Sequence, residues 1–112
     1  MGTRDYLGEF ELVVLLALTR LGSGAYGGSI HAEILERTGR DVSIPAVYVT
    51  LKRMERKGLV TSSMGPSDAD VDRPTRNYRL TSEGRNAVER SRLLFQRLWD
   101  GLDGPVAEGS GS

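Results

Sequence analysis

A basic segment at residues 43–58 carries the side chains whose types and spacing most clearly indicate a chemistry. The chain of 112 residues is neutral, with 15 Lys or Arg and 15 Asp or Glu, yet residues 42–60 alone have a net charge of +3. A local cluster of cations is typical of a surface that meets phosphate groups. Taken alone, the segment is better explained as a surface helix with a solvated basic face, so its neighbours must decide. The cations are Lys52, Arg53, Arg56 and Lys57.

The same segment has the pattern of a capped amphipathic helix. Ser43 can cap its N-terminus, Pro45 suits its first turn, and Gly58 ends it. Three apolar residues at helical spacing are predicted to face inward: Val47, Leu51 and Met54. The opposite side is formed by Pro45, Val49, Lys52 and Arg56. Small residues followed by cations fit a DNA major groove, because the backbone can approach base edges while the cations meet phosphates.

Little else in the sequence indicates catalysis or metal binding. There is no Cys, and the single histidine, His31, has no acid at a spacing suited to a catalytic set. Asp68, Asp70 and Asp72 alternate like the start of a calcium loop, but Arg73 stands where that loop needs Gly. We therefore expect no enzymatic activity, no metal and no cofactor.

The apolar segments are too short for a membrane protein. The longest apolar run, residues 12–18, is far below the length that spans a bilayer, and no signal-type apolar core follows the N-terminus. We expect a cytoplasmic chain without a membrane partner.

The order of predicted elements gives the basic segment its context. The pattern predicts helices at 9–21, 27–38 and 44–57, strands at 59–64 and 75–80 around a long polar loop, and a last helix from 82 to about 102. This is the order of a winged helix-turn-helix, an α+β fold that is mainly α, whose third helix is the recognition helix. We predict a DNA-binding domain at 1–80, a C-terminal dimerisation helix at 81–103 and a flexible tail at 104–112.

The first and last helices have more apolar surface than one small domain can bury. The first is apolar almost all round, so it needs partners on two sides, one of which is plausibly a second subunit. Aromatic residues at helical spacing in the last helix are most simply dimer core, and the sharper alternative is a pocket where Trp99 stacks on a flat effector. The predicted interface or pocket residues are Leu12, Leu15, Leu16, Leu94, Phe95, Leu98 and Trp99.

Several fragments in order make the chain resemble the PadR family of bacterial transcriptional regulators. They run from Leu7-Gly-Glu9 through Ala25-Tyr-Gly27, the segment from Ser43 to Val60, and Asn77-Tyr-Arg-Leu-Thr81 to Glu83-Gly84. The resemblance covers roughly residues 7–102, and the length matches the short branch with one C-terminal helix. It implies a homodimer formed through the first and last helices on a pseudo-palindromic double-stranded DNA operator, with recognition helices ~34–36 Å apart.

The resemblance also implies which residues meet DNA. Those matching the DNA-facing part of the third helix are Ser43, Pro45, Ala46, Tyr48, Thr50, Lys52 and Arg53, and those matching the basic wing are Arg73 and Arg76. Pro45 departs from the family, where Gly or Ser is common. Arg56 ranks lower because it could pair with nearby acids.

The function predicted from these features is a dimeric, sequence-specific DNA-binding regulator, a repressor released by a small aromatic effector. The alternative is a winged-helix protein–protein interaction module without a DNA role. That alternative is favoured by the zero net charge and the acidic loop.

Overall fold

Four helices and one antiparallel hairpin make up the part of the chain that the computed structural model describes, residues 6–65 and 75–102. The predicted tail at 104–112, the acidic loop and Arg73 lie outside these residues. The winged helix-turn-helix order is confirmed. The elements are α1 (Glu9–Leu21), α2 (Gly27–Thr38), α3 (Ile44–Arg56), β1 (Val60–Gly65), β2 (Thr75–Leu80) and α4 (Ser82–Trp99).

Local hydrogen bonds set the starts of the helices. The Ala46 backbone N–H donates to Ser43 Oγ at 3.1 Å, so Ser43 caps α3 as predicted. Glu11 reaches back to the start of α1, where its Oε1 accepts the Gly8 N–H at 2.9 Å. Gly58 follows α3 with a φ of 80°, a left-handed conformation that favours glycine.

A single apolar core holds α1, α2 and α3 together and extends to the hairpin. The predicted inward face of α3 is confirmed, because Val47, Leu51 and Met54 are all completely buried. They lie in one cluster with residues of α1 and α2 and with Tyr78 of β2. The remaining buried members of that cluster are Val14, Leu15, Ala17, Leu18, Ala25, Ile30, Ile34 and Val60.

The hairpin is attached to the helices through both of its strands. Its strands pair from Val60 opposite Leu80 to Gly65 opposite Thr75. The Tyr78 N–H donates to the Ala25 carbonyl at 2.8 Å, which ties β2 to the connection between α1 and α2. Strand β1 begins one residue later than predicted because the Leu59 N–H is bound to the Met54 carbonyl and so closes α3.

The last helix packs one side of its first half against the rest of the fold and projects in its second half. Thr81 Oγ1 accepts the Gly84 N–H and donates to the Gly58 carbonyl, which fixes the start of α4 beside the end of α3. Ser91 is the last buried residue, and residues 92–102 are exposed in the single chain. The helix ends at Trp99, earlier than the predicted residue 102, because Asp100 is extended and Gly101 has a φ of 87°.

Candidate nucleic-acid interface

The side of α3 that faces away from the core is fully open to a partner. Pro45, Val49, Lys52 and Arg56 are all exposed, and they recur at the spacing that places side chains on one helical face. Val49, in the middle of this face, keeps 60% of its surface exposed although it is apolar. We call these four residues the open face of α3.

The two cations of the open face have no carboxylate to neutralise them among the described residues. All seven ion pairs in that part of the chain involve other cations. Arg56, whose pairing with nearby acids the sequence left open, therefore stands beside Lys52 as an available positive charge. Such a pair on an exposed helical face can contact phosphate oxygens.

Arg53 lies in a different environment, against α1. Its Nε is 3.0 Å from Glu11 Oε2, and Lys57 Nζ is 3.5 Å from the same oxygen. Burial raises the pKa of the Glu11 carboxyl, but hydrogen bonds from Gly8 and Arg53 and the charges of Lys57 and Arg53 outweigh it, so the pKa lies below its ordinary value. Arg53 thus joins α3 to α1, although its side chain remains 41% exposed.

Thr50 is buried within the chain, which differs from the predicted DNA-facing position. It follows Val47 by three residues and so lies only about 60° from it around the helix axis. Its side chain therefore belongs to the edge of the inward face. Ser43 is exposed and engaged as the helix cap, and Ala46 is half-buried on the side of Arg53.

Tyr48 lies against the first turn of α2. A methyl group at Gly27 would come within 2.3 Å of Tyr48 Cζ and 2.6 Å of its hydroxyl oxygen. Only glycine leaves room for this ring, which positions the N-terminus of α2 next to α3. This contact explains Gly27 of the Ala25-Tyr-Gly27 fragment, and the bulk of Tyr48 opposite a helical glycine was a signal that sequence reasoning missed.

A chain of hydrogen bonds connects α3 to the wing. Arg76 Nη1 donates to Ser62 Oγ at 2.9 Å, and the Ser62 hydroxyl donates to Glu55 Oε2 at 2.8 Å. Burial raises the pKa of the Tyr78 hydroxyl, and the nearby Glu55 carboxylate raises it further. Arg76 therefore lies on the same side of the hairpin as α3, with the Ser62 hydroxyl between it and the Glu55 carboxylate.

Sequence comparison identifies the family of this fold. The sequence model of the Transcriptional regulator PadR-like family matches residues 14–90, which is well over half of the chain. The chain belongs to the PadR-like family. The predicted resemblance is confirmed. None of the curated protein sequences matches significantly.

Solved structures of PadR-like and other winged-helix proteins have the same fold. A PadR family transcriptional regulator from Eggerthella lenta is 26% identical over 84% of this chain and 82% of its own, with a TM-score of 0.64. A PadR family regulator from hypervirulent Clostridium difficile is 23% identical over 87% and 100%, with a TM-score of 0.69. A winged-helix DNA-binding protein from STIV is 18% identical over 84% and 95%, with a TM-score of 0.67. The last two are similar in fold alone.

The predicted interface residues of this PadR-like chain fall into two groups. Leu15 is completely buried in the chain's own core, three residues before Leu18, so it is not on a surface that a second copy could reach. Leu12 is half-buried, and the other members are exposed: Leu16, Leu94, Phe95, Leu98 and Trp99. The structure thus brings the α4 members together on its projecting half.

Residues 6–65 and 75–102 contain no group of three or more metal-ligating side chains. None of the helices in that part of the chain has the length and apolar character needed to cross a membrane. His31 Nε2 lies 3.7 Å from Asp41 Oδ1, a surface pair.

Proposed function

We propose that this PadR-like protein is a homodimeric, sequence-specific DNA-binding regulator of transcription that acts in the cytoplasm. The observation that carries the proposal is the open face of α3, where Lys52 and Arg56 have no carboxylate partner among the described residues, while the opposite face is fully buried. A helix held this firmly can enter the major groove with its cations near the phosphates. Arg76 on the wing extends the positive surface.

The projecting half of α4 supports the homodimer. Leu94, Phe95, Leu98 and Trp99 are exposed on it, and large exposed apolar patches mark association sites. In the dimer we expect a second copy to cover this half and the exposed Leu16 of α1. Two-fold pairing then matches a pseudo-palindromic operator with half-sites ~34–36 Å apart.

Repression and effector release complete the proposal. A dimer bound across a promoter blocks access of the transcription machinery to it. Trp99 and Phe95 are exposed in the single chain, and in a dimer their rings would be available to stack on a flat aromatic effector. Quenching of Trp99 fluorescence by planar aromatics tests this part, and a flat titration would count against it. The alternative of a protein-interaction module has no support among the matched proteins.

DNA binding is tested by anisotropy titration of the full chain. One duplex carries the promoter region of the protein's own gene, and the other is a random sequence of the same length. We expect preferential binding of the promoter duplex that weakens steeply as salt rises, because phosphate contacts release counterions. Equal affinity for the two duplexes at every salt concentration would contradict a sequence-specific regulator.

A further inference from the structure

We infer, resting on the proposed function, that Val49 is a specificity-determining residue that reads thymine. Its side chain contacts the C5-methyl group of one thymine in each half-site. The operator is therefore expected to carry a T·A pair opposite the middle of α3. The cations beside Val49 supply affinity, and the apolar contact supplies part of the sequence preference.

Val49 lies at the centre of the open face of α3. It lies on the open face one turn after Pro45 and three residues before Lys52, so it points where those side chains point. A single exposed apolar residue needs no explanation on an ordinary surface. Here, however, it occupies the centre of a face whose neighbouring cations have no carboxylate partner in the part of the chain that the structure describes, so a DNA groove that receives them also receives Val49.

Few side chains of α3 can form hydrogen bonds to base edges. The helix contains no Asn or Gln, the side chains that read adenine through paired hydrogen bonds. Thr50 is buried, and the Tyr48 ring is held against Gly27. The open face thus has cations and apolar groups only.

The major groove presents one apolar group, the thymine methyl, and it distinguishes T·A from every other base pair. An isopropyl group at the centre of the open face matches that feature. Lys52 and Arg56 remain available for phosphates or for guanine, so the methyl contact adds to their binding rather than replacing it.

The test separates the methyl group from every other property of the base. Duplexes bound by the wild-type protein are selected from a random 30-base-pair pool, and each thymine of the selected duplex is then replaced by uracil, which lacks only the C5-methyl. At one position in each half-site we expect about fourfold weaker binding, since burial of one methyl is worth roughly 0.8 kcal/mol. Val49→Ala should bind the thymine and uracil duplexes equally.

A matched control is Leu35→Ala, which truncates an aliphatic side chain of α2 that is 41% exposed. This variant should keep the full sensitivity to uracil. The inference is overturned, with DNA binding intact, if no uracil replacement weakens wild-type binding or if Val49→Ala keeps the same sensitivity. Failure to enrich any duplex from the pool would instead overturn the proposed function, and the thymine contact with it.

Discussion

At the scale of single residues, Glu11 organises the side of α3 that faces α1. It binds the start of its own helix through Gly8, and it holds Arg53 and Lys57 of the neighbouring segment. The cations of α3 are therefore divided between two tasks. Arg53 and Lys57 are held at Glu11, while Lys52 and Arg56 are available to a partner.

Replacement of Glu11 by Gln should lower the free energy of unfolding by about 1–2 kcal/mol at neutral pH, because Gln can still accept the Gly8 N–H but carries no charge. The pKa of Glu11 is depressed in the folded state, so its contribution is present above its ordinary pKa of 4.5 and is lost as pH falls through the folded value. Urea unfolding from pH 7 to 3 should show the wild-type advantage shrinking with acidity. An advantage that does not depend on pH would contradict this role.

The ion pair between Arg53 and Glu11 joins residues 42 positions apart, and no local pattern indicates it. The family resemblance implied a DNA-facing Arg53, but charge alone cannot tell which cation has an acid opposite it. For the same reason, the sequence could not show that Arg56 has no carboxylate partner among the described residues. Pairing at the residue scale depends on which helices meet, and that appears only in the fold.

At the scale of elements, the close approach of α3 to the start of α2 depends on a ring held against a glycine. The Tyr48 ring occupies the space that a Cβ at Gly27 would need. Apolar periodicity and the Gly and Thr residues between helices predicted the bounds of α1, α2 and β2 as the structure has them. They could not predict this contact, because it depends on how closely two helices approach.

The Gly27→Ala variant should lose about 1–2 kcal/mol of unfolding free energy, because the new methyl displaces the Tyr48 ring. In a Tyr48→Ala background the same change should cost almost nothing, since the obstructing ring is gone. A double-mutant cycle by urea unfolding measures the coupling between the two sites. Equal costs in both backgrounds would show that the ring does not determine the need for glycine.

At the scale of the whole molecule, the described part of the chain is a winged helix that leaves surplus apolar surface exposed on the projecting half of α4. The sequence predicted this surplus on α4 from its spacing. It assigned Leu15 of α1 to the same surface, whereas Leu15 is part of the core. Because α1 is apolar on nearly all sides, the periodicity could not say which of its leucines the chain itself covers.

Replacing Leu98 by Asp should raise the dimer dissociation constant by roughly 100-fold, about 2.7 kcal/mol, because each buried carboxylate loses its hydration. Leu98 is 63% exposed in the single chain, so the fold and its circular dichroism should be unchanged. Light scattering coupled to size exclusion measures the oligomeric state. Leu35→Asp on α2 is the matched control and should remain dimeric, and an unchanged dimer in the Leu98 variant would contradict the interface.

The central claim, that the open face of α3 contacts DNA, is tested most directly by the salt dependence of binding after its cations are removed. The combined Lys52→Ala and Arg56→Ala variant is compared with Arg90→Ala and Arg97→Ala, which removes two exposed cations from α4. In a dimer the open-face variant lacks two cations on each protomer, and each phosphate contact contributes roughly 0.9 to the slope of log affinity against log salt. We therefore expect the magnitude of that slope to fall by about 3 to 4 in the open-face variant. The α4 control should keep the wild-type slope. An unchanged slope in the open-face variant, or an equal loss in the α4 control, would contradict it.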